Sequence, residues 1–382
     1  MRCTAARSLG LLPALAVLLA GCASPAVPAS SPTPDGLPTP LQMALTDALA
    51  DAMAEYDVPG AVAGVWLADG GSWTSAQGLA DVEHARPASA ATTWPLRSVT
   101  KSFTVTLLLQ LVDEGRVSLD DTIDTYVAGV TDGARITLRE LAGMASGNAD
   151  YTDEAFLQAF TADPEHRFTL DELNGFMLGR PAQFAPGTRH VYTNANTNLL
   201  GAVVEEVTGQ SYAEALGDRI LTPLGLTDTH YLADGGTWAE PHPSGYSAAD
   251  PTEPSIQNFT IFGPAGGMVS TLEDGRVWSE ALAQGSLLEP ATQAERLRGA
   301  PLDAGPPYDR YALGIGETDV WWGHNGEGLG FTAAVFHDPA SGASIVVFMN
   351  QSNRPDHVHP ADQTFRRLAA VLADEDVTGS AR

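Results

Sequence analysis

The sequence predicts an α/β (α+β) protein: an antiparallel sheet built from both termini and flanked by helices, with a helical insertion domain between its two halves. Three observations carry that prediction. Apolar, β-branched and aromatic runs of strand length lie near both ends of the folded region. Between them, residues 120–260 mix helical segments with polar loops. The 382 residues are 44% hydrophobic and 18% charged, which describes a globular chain with a sizeable core, neither disordered nor fibrous.

Taken in order, residues 41–56 place Leu41, Leu45, Ala48, Leu49, Ala52 and Tyr56 at helical spacing, and Pro59-Gly60 ends the helix. Strands over 61–67 and 72–78 flank Asp69-Gly70-Gly71, a hairpin signal. After Pro95 the pattern predicts a helix over 98–114 with Phe103, Leu107, Leu108 and Leu111 on one face. Helices come next over 199–207 and 212–221. Strands over 331–336 and 343–349 meet at a turn around Asp338-Pro339, and a helix over 362–372 closes the chain. The expected organisation is a sheet domain from 41–120 and 261–376, a mainly helical domain over 121–260, and a tail over 377–382.

The first forty residues read as targeting. Arg2 and Arg7 precede an apolar run over 9–20, too short to span a bilayer as a mature helix. It ends Leu19-Ala20-Gly21-Cys22, which resembles a bacterial lipobox, so residues 1–21 are expected to be a lipoprotein signal peptide and Cys22 the lipidated N-terminus. Residues 22–40, rich in Pro and Ser, then form an extended tether. The expected location is outside the cell, on the outer face of the membrane, held by lipid alone. With Cys3 in the signal and Cys22 acylated, no cysteine remains for a disulfide.

Forty-seven Asp and Glu against twenty Lys and Arg give a net charge of −27. That excess argues against nucleic acid, which needs a basic footprint, and against electrostatic docking on an anionic membrane. Among the cations a single lysine stands out, Lys101, and it follows Ser98 by three places at the start of a predicted helix. That spacing puts hydroxyl and amine on one face, close enough to share a proton, beside the free N–H groups of a helix N-terminus. It is one way to activate a serine without a Ser-His-Asp triad. No Gly-x-Ser-x-Gly elbow is present. His357-Val358-His359 near Asp356 lacks a supporting metal motif, so neither metal nor other cofactor is expected.

Ser98-Val99-Thr100-Lys101, then Tyr192-Thr193-Asn194, then His324-Asn325-Gly326 resembles, in that order, the penicillin-recognising serine hydrolases. That group includes class C β-lactamases, Streptomyces-type D-alanyl-D-alanine carboxypeptidases, and related esterases and D-aminopeptidases. Supporting stretches at 107–115, 136–141, 223–229 and 265–271 extend the likeness over most of residues 45–372. The resemblance implies a β-lactamase/transpeptidase-like fold. It implies Ser98 as acylated nucleophile, Lys101 as its proton partner, and Tyr192 as a proton relay, phenolate or phenol. Asn194 would hold the substrate amide and orient Lys101, and His324 would shape the field near the leaving group. Gly326 completes the third triplet, and the N–H groups of Ser98 and Glu327, on an edge strand, would form the oxyanion hole.

Three positions depart from the family pattern. Arg97 precedes the nucleophile where relatives often have Gly. Asn325 stands where peptidases often have a carboxylate-binding Thr. The stretch 311–316 lacks the Arg that the Streptomyces-type peptidase uses for the same carboxylate. Arg97 and Asn325 are therefore the candidates for substrate binding there. The expected function is an exported serine hydrolase with an acyl-enzyme mechanism, most like a D-alanyl-D-alanine carboxypeptidase, with peptidoglycan nearby. A β-lactamase or a small-ester esterase is the alternative within the family. A β-lactam- or peptidoglycan-binding receptor without turnover is the non-enzymatic one.

Overall fold

A computed structural model describes residues 36–352 and 354–379. The signal peptide, Cys22 and all but the last five residues of the tether lie outside them, as do residues 380–382 of the tail. None of the described helices is long and apolar enough to cross a membrane.

Eight strands form the main sheet: β1 (Gly60–Trp66), β2 (Ser72–Asp81), β3 (Arg86–Pro87), β4 (Arg310–Tyr311), β5 (Gly316–Thr318), β6 (Trp321–Gly328), β7 (Phe331–Asp338) and β8 (Ala343–Met349). Their spatial order is β3-β2-β1-β8-β7-β6-β5-β4. The two halves join where β1 pairs antiparallel with β8, from Ala61 opposite Met349 to Trp66 opposite Ser344. Five helices cover the sheet or carry the site: α1 (Thr39–Tyr56), α2 (Thr100–Asp113), α3 (Asn194–Thr208), α4 (Leu272–Gln284) and α5 (Pro360–Gly379).

Both faces of the sheet are covered, which is why its central strands read as continuous apolar runs. Along β8, Ile345, Val347 and Met349 join the core beneath α1 and α5, while Val346 and Phe348 join the larger core that holds α2 and α4. β7 alternates the same way, with Ala334 and Phe336 on the first side and Phe331, Ala333 and Val335 on the second. On α1 the apolar stripe buries Leu41, Leu45, Leu49, Ala52 and Tyr56 as its spacing predicts.

Two expectations change. α2 buries far more than its one apolar face: every residue from Thr100 to Leu109 is enclosed. Its hydroxyls permit this, because Ser102 and Thr106 donate back to the carbonyls of Val99 and Ser102, and Thr104 to that of Pro264. The strand carrying His324 to Glu327 is also not an edge strand along its whole length. β5 covers β6 only from Trp321 to Gly323, leaving 324–328 without a strand on that side.

Phe365 of α5 is fully buried, stacked on Phe336 at 4.1 Å and edge-on to Trp321. Phe365→Ala should cost about 3–5 kcal/mol of stability, read as a lowered urea midpoint.

Candidate active site

A single turn of 3-10 helix, Arg97–Val99, leads straight into α2. Ser98 therefore sits half-buried at the head of that helix, and Lys101 lies in the first turn, fully enclosed. The Lys101 amine donates to Ser98 Oγ at 3.0 Å, to Asn194 Oδ1 at 2.7 Å and to the carbonyl of Ala265 at 2.8 Å. All three acceptors are neutral. Burial consequently pulls its pKa from 10.5 down to about 7, against the opposing pull of the Asp150 carboxylate nearby.

Asp150 has no motif to announce it among the chain's many acids. It accepts both the backbone N–H and the side-chain amide of Asn194, each at 3.1 Å. With its amide nitrogen committed to Asp150, Asn194 must turn Oδ1 toward Lys101. The carboxylate thus fixes the acceptor rather than pairing with the amine.

Tyr192 precedes α3, where Thr193 accepts the N–H of Ala195 in the first turn. Its ring lies 5.1 Å from the Lys101 amine, and its buried hydroxyl, beside Ser98, has no hydrogen-bond partner of good geometry among the described residues. Burial and the neighbouring Tyr311 and Tyr308 push its pKa well above 10. Tyr192 is a phenol at neutral pH, and the lysine is the group that titrates there.

His324 is enclosed behind this pair. The hydroxyls of Tyr311 and Tyr308 lie 3.1 and 3.2 Å from its Nε2 and Nδ1, and burial lowers its pKa to about 3. It is an uncharged imidazole, so any influence on the leaving group comes without a positive charge. Two residues along the strand, the lack of a side chain at Gly326 is a steric requirement. A Cβ there would lie 2.2 Å from the carbonyl oxygen of Leu96 and 2.9 Å from the Ser98 nitrogen. Only glycine lets β6 press against the nucleophile's own backbone.

Ser98, Tyr192, Asn194, Gly326 and Glu327 line one cavity of about 380 Å³. Phe156, Ile261 and Phe262 give it an apolar wall. Among the described residues, Glu327, exposed on β6, is the only carboxylate in that lining, and no Lys or Arg belongs to it.

Neither substrate-binding candidate near the nucleophile, Arg97 or Asn325, turns its side chain into the cavity. Arg97 is buried and absent from the lining, with Nε on the carbonyl of Gly328 at 3.0 Å, Nη2 on Gln257, and its guanidinium packed over Phe259, Phe262 and Phe331. Desolvation lowers its pKa to about 9. These contacts hold it at a φ of 49°, the left-handed region that glycine enters without strain. Asn325 reaches the lining, but its side chain is turned away and held by Tyr308 at 2.7 Å and Asp362 at 3.2 Å.

A family model for beta-lactamase matches residues 45–369. The chain belongs to the beta-lactamase family. It is 30% identical over 208 residues to a D-aminopeptidase of Brucella anthropi, a stretch that is 54% of this chain and 39% of that protein. The chain thus matches about two-fifths of the length of that curated relative. Its fold is similar to that of a D-stereospecific amidohydrolase from Streptomyces sp., at a TM-score of 0.73 and 30% identity, covering 85% of this chain and 97% of the other. It is also similar to a D-amino acid amidase from Ochrobactrum anthropi SV3 complexed with L-phenylalanine, at a TM-score of 0.77 and 25% identity, covering 90% and 100%. The chain is accordingly a beta-lactamase-related serine hydrolase.

The amine must be neutral to accept the Ser98 proton, so kcat/KM should rise about tenfold per pH unit and level off above about 7. Asp150 raises the lysine's pKa, so Asp150→Asn should move that limb to lower pH while reducing kcat through the loosened Asn194. Stopped-flow or steady-state pH profiles of the two proteins check both effects.

Proposed function

We propose that this chain hydrolyses the amide bond of small D-configured amino-acid amides or peptides that carry a free amino group, through an acyl-enzyme at Ser98. The observation that carries the substrate class is the cavity lining, with one carboxylate, Glu327, and no Lys or Arg among the described residues. A terminal carboxylate, which a D-alanyl-D-alanine carboxypeptidase must hold, finds no fixed cation there. The one carboxylate in that lining, Glu327, has the sign that suits an amino group. The names of the similar proteins, a D-aminopeptidase and a D-stereospecific amidohydrolase, support the D configuration and the amide.

The contacts order the steps. Lys101, neutral, takes the Ser98 proton as Oγ bonds to the substrate carbonyl carbon. The N–H groups of Ser98 and Glu327 receive the oxyanion, worth about 3 kcal/mol for each well-placed donor. Tyr192, a phenol, gives its proton to the departing amine and is reprotonated from Lys101 as the C–N bond breaks. Water then cleaves the ester and returns the proton to Ser98. Export and lipid anchoring at Cys22 are part of the same proposal, supported by the sequence of residues 1–40.

D-Phenylalaninamide, its N-acetyl derivative and an N-acylated D-alanyl-D-alanine peptide separate the readings in one assay. Free-amine D-amides should turn over, and N-acetylation should lower kcat/KM by about tenfold or more, the worth of one hydrogen bond to a charged group. Faster release of D-alanine from the acylated peptide would instead restore the carboxypeptidase reading.

A further inference from the structure

His357-Val358-His359 has no part in the chemistry above, yet both histidines line the cavity. His359 immediately precedes α5, and its ring makes two contacts in opposite senses. Nδ1 accepts the backbone N–H of Asp362, the third residue of that helix, at 3.1 Å. Nε2 lies 3.0 Å from the carbonyl oxygen of Gly326 on β6. A ring nitrogen that accepts a backbone N–H carries no proton, and a carbonyl can only accept. The imidazole is therefore the tautomer with hydrogen on Nε2, donating to Gly326.

That carbonyl belongs to the same peptide unit as the Glu327 N–H. A planar trans peptide points its N–H opposite to its C=O, so holding the oxygen on the His359 side turns the hydrogen to the other side. A hydrogen bond accepted by the carbonyl also polarises the unit and strengthens its N–H as a donor. The adjacent residue is tied to the same helix, because the Asn325 amide donates to the Asp362 carboxylate at 3.2 Å, and Asp362 is held in turn by Arg366 at 2.8 Å. The start of α5 thus grips two consecutive residues of β6, at the stretch that β7 pairs on one side and that β5 leaves uncovered on the other. This also accounts for Asn325 facing away from the substrate.

From this juxtaposition we infer that His359 is the positioning residue of the oxyanion hole: it links the capped start of α5 to the Gly326–Glu327 peptide and aims that peptide's N–H at the developing oxyanion. The inference rests on the acyl-enzyme reading of Ser98.

Two substitutions separate the two contacts. Asparagine can reproduce the Nδ1 position and cap α5, but it is too short to reach Gly326. Glutamine can reproduce the Nε2 donor but gives up the cap. His359→Asn should keep Tm and KM and lower kcat and the rate of Ser98 acylation by about tenfold, a fraction of the hundredfold or more lost when an oxyanion donor is deleted outright. His359→Gln should recover most of that rate while lowering Tm by about 2 °C. Reactivity of Ser98 is followed by intact mass with a fluorophosphonate, which phosphonylates the hydroxyl with loss of fluoride, and turnover by kcat on D-phenylalaninamide. If wild-type Ser98 takes no label, the acyl-enzyme reading falls and this inference with it. If wild type labels and His359→Asn labels as fast, or if the Gln variant loses as much rate as the Asn variant, the positioning role alone is overturned.

Discussion

A primary amine enclosed among neutral acceptors is the constraint on which this site is built. Lys101 is bonded to a hydroxyl, an amide oxygen and a backbone carbonyl, and to no carboxylate among the described residues. Burial then penalises its charge by enough to bring its pKa to about 7. Nearer to Asp150 it would be locked as ammonium; farther from all acceptors it would have no fixed direction. Asn194 resolves this by standing between them, one end on the carboxylate and the other on the amine. The remaining polar groups are secondary to that choice. Tyr192 remains a phenol and His324 stays uncharged, both because they share the same enclosure.

The fold supplies the enclosure through two close approaches. α2 runs through the interior with the hydroxyls of Ser102, Thr104 and Thr106 bonded internally, so the helix that carries Lys101 and follows Ser98 is enclosed from Thr100 to Leu109. β6 comes in against the turn before it, at a distance only Gly326 permits. Arg97 reinforces that contact from the far side by bonding the Gly328 carbonyl, which makes it a clamp between strand and turn rather than a substrate ligand. The cavity left between them is apolar on one wall, and Glu327 lines it at β6.

Much of this is legible in the sequence, for identifiable reasons. A period-3.6 stripe locates α1, and continuous apolar, β-branched runs locate β1, β7 and β8 closely, because the sheet is covered on both faces. Ser98 and Lys101 can be paired because helical spacing is local, and the single lysine makes the pair conspicuous. β6 is less legible: Trp-Trp-Gly-His-Asn-Gly-Glu-Gly has no apolar alternation, and it is a strand because β7 pairs with it. α4 is hidden too, since its Asp, Gly and Arg dilute the apolar stripe that packs on β7 and β8. Asp150, Tyr308 and His359 act through contacts with residues 16 to 44 positions away. Nothing in their own neighbourhoods reports those contacts. Arg97 misleads because position beside a nucleophile says nothing about which way a long side chain turns.

The central claim concerns the protonation of one amine, and the composition of the chain allows it to be measured without assignment. Because Lys101 is the only lysine, uniform incorporation of lysine labelled with carbon-13 at the ε position yields one side-chain signal in the folded protein. Its chemical shift, followed by NMR from about pH 5 to about pH 11, reports the amine directly. Titration with a midpoint of about 7 is the expected result. A midpoint near the ordinary value of 10.5 would contradict it, and Lys101 would then be a fixed cation unable to take the Ser98 proton at neutral pH.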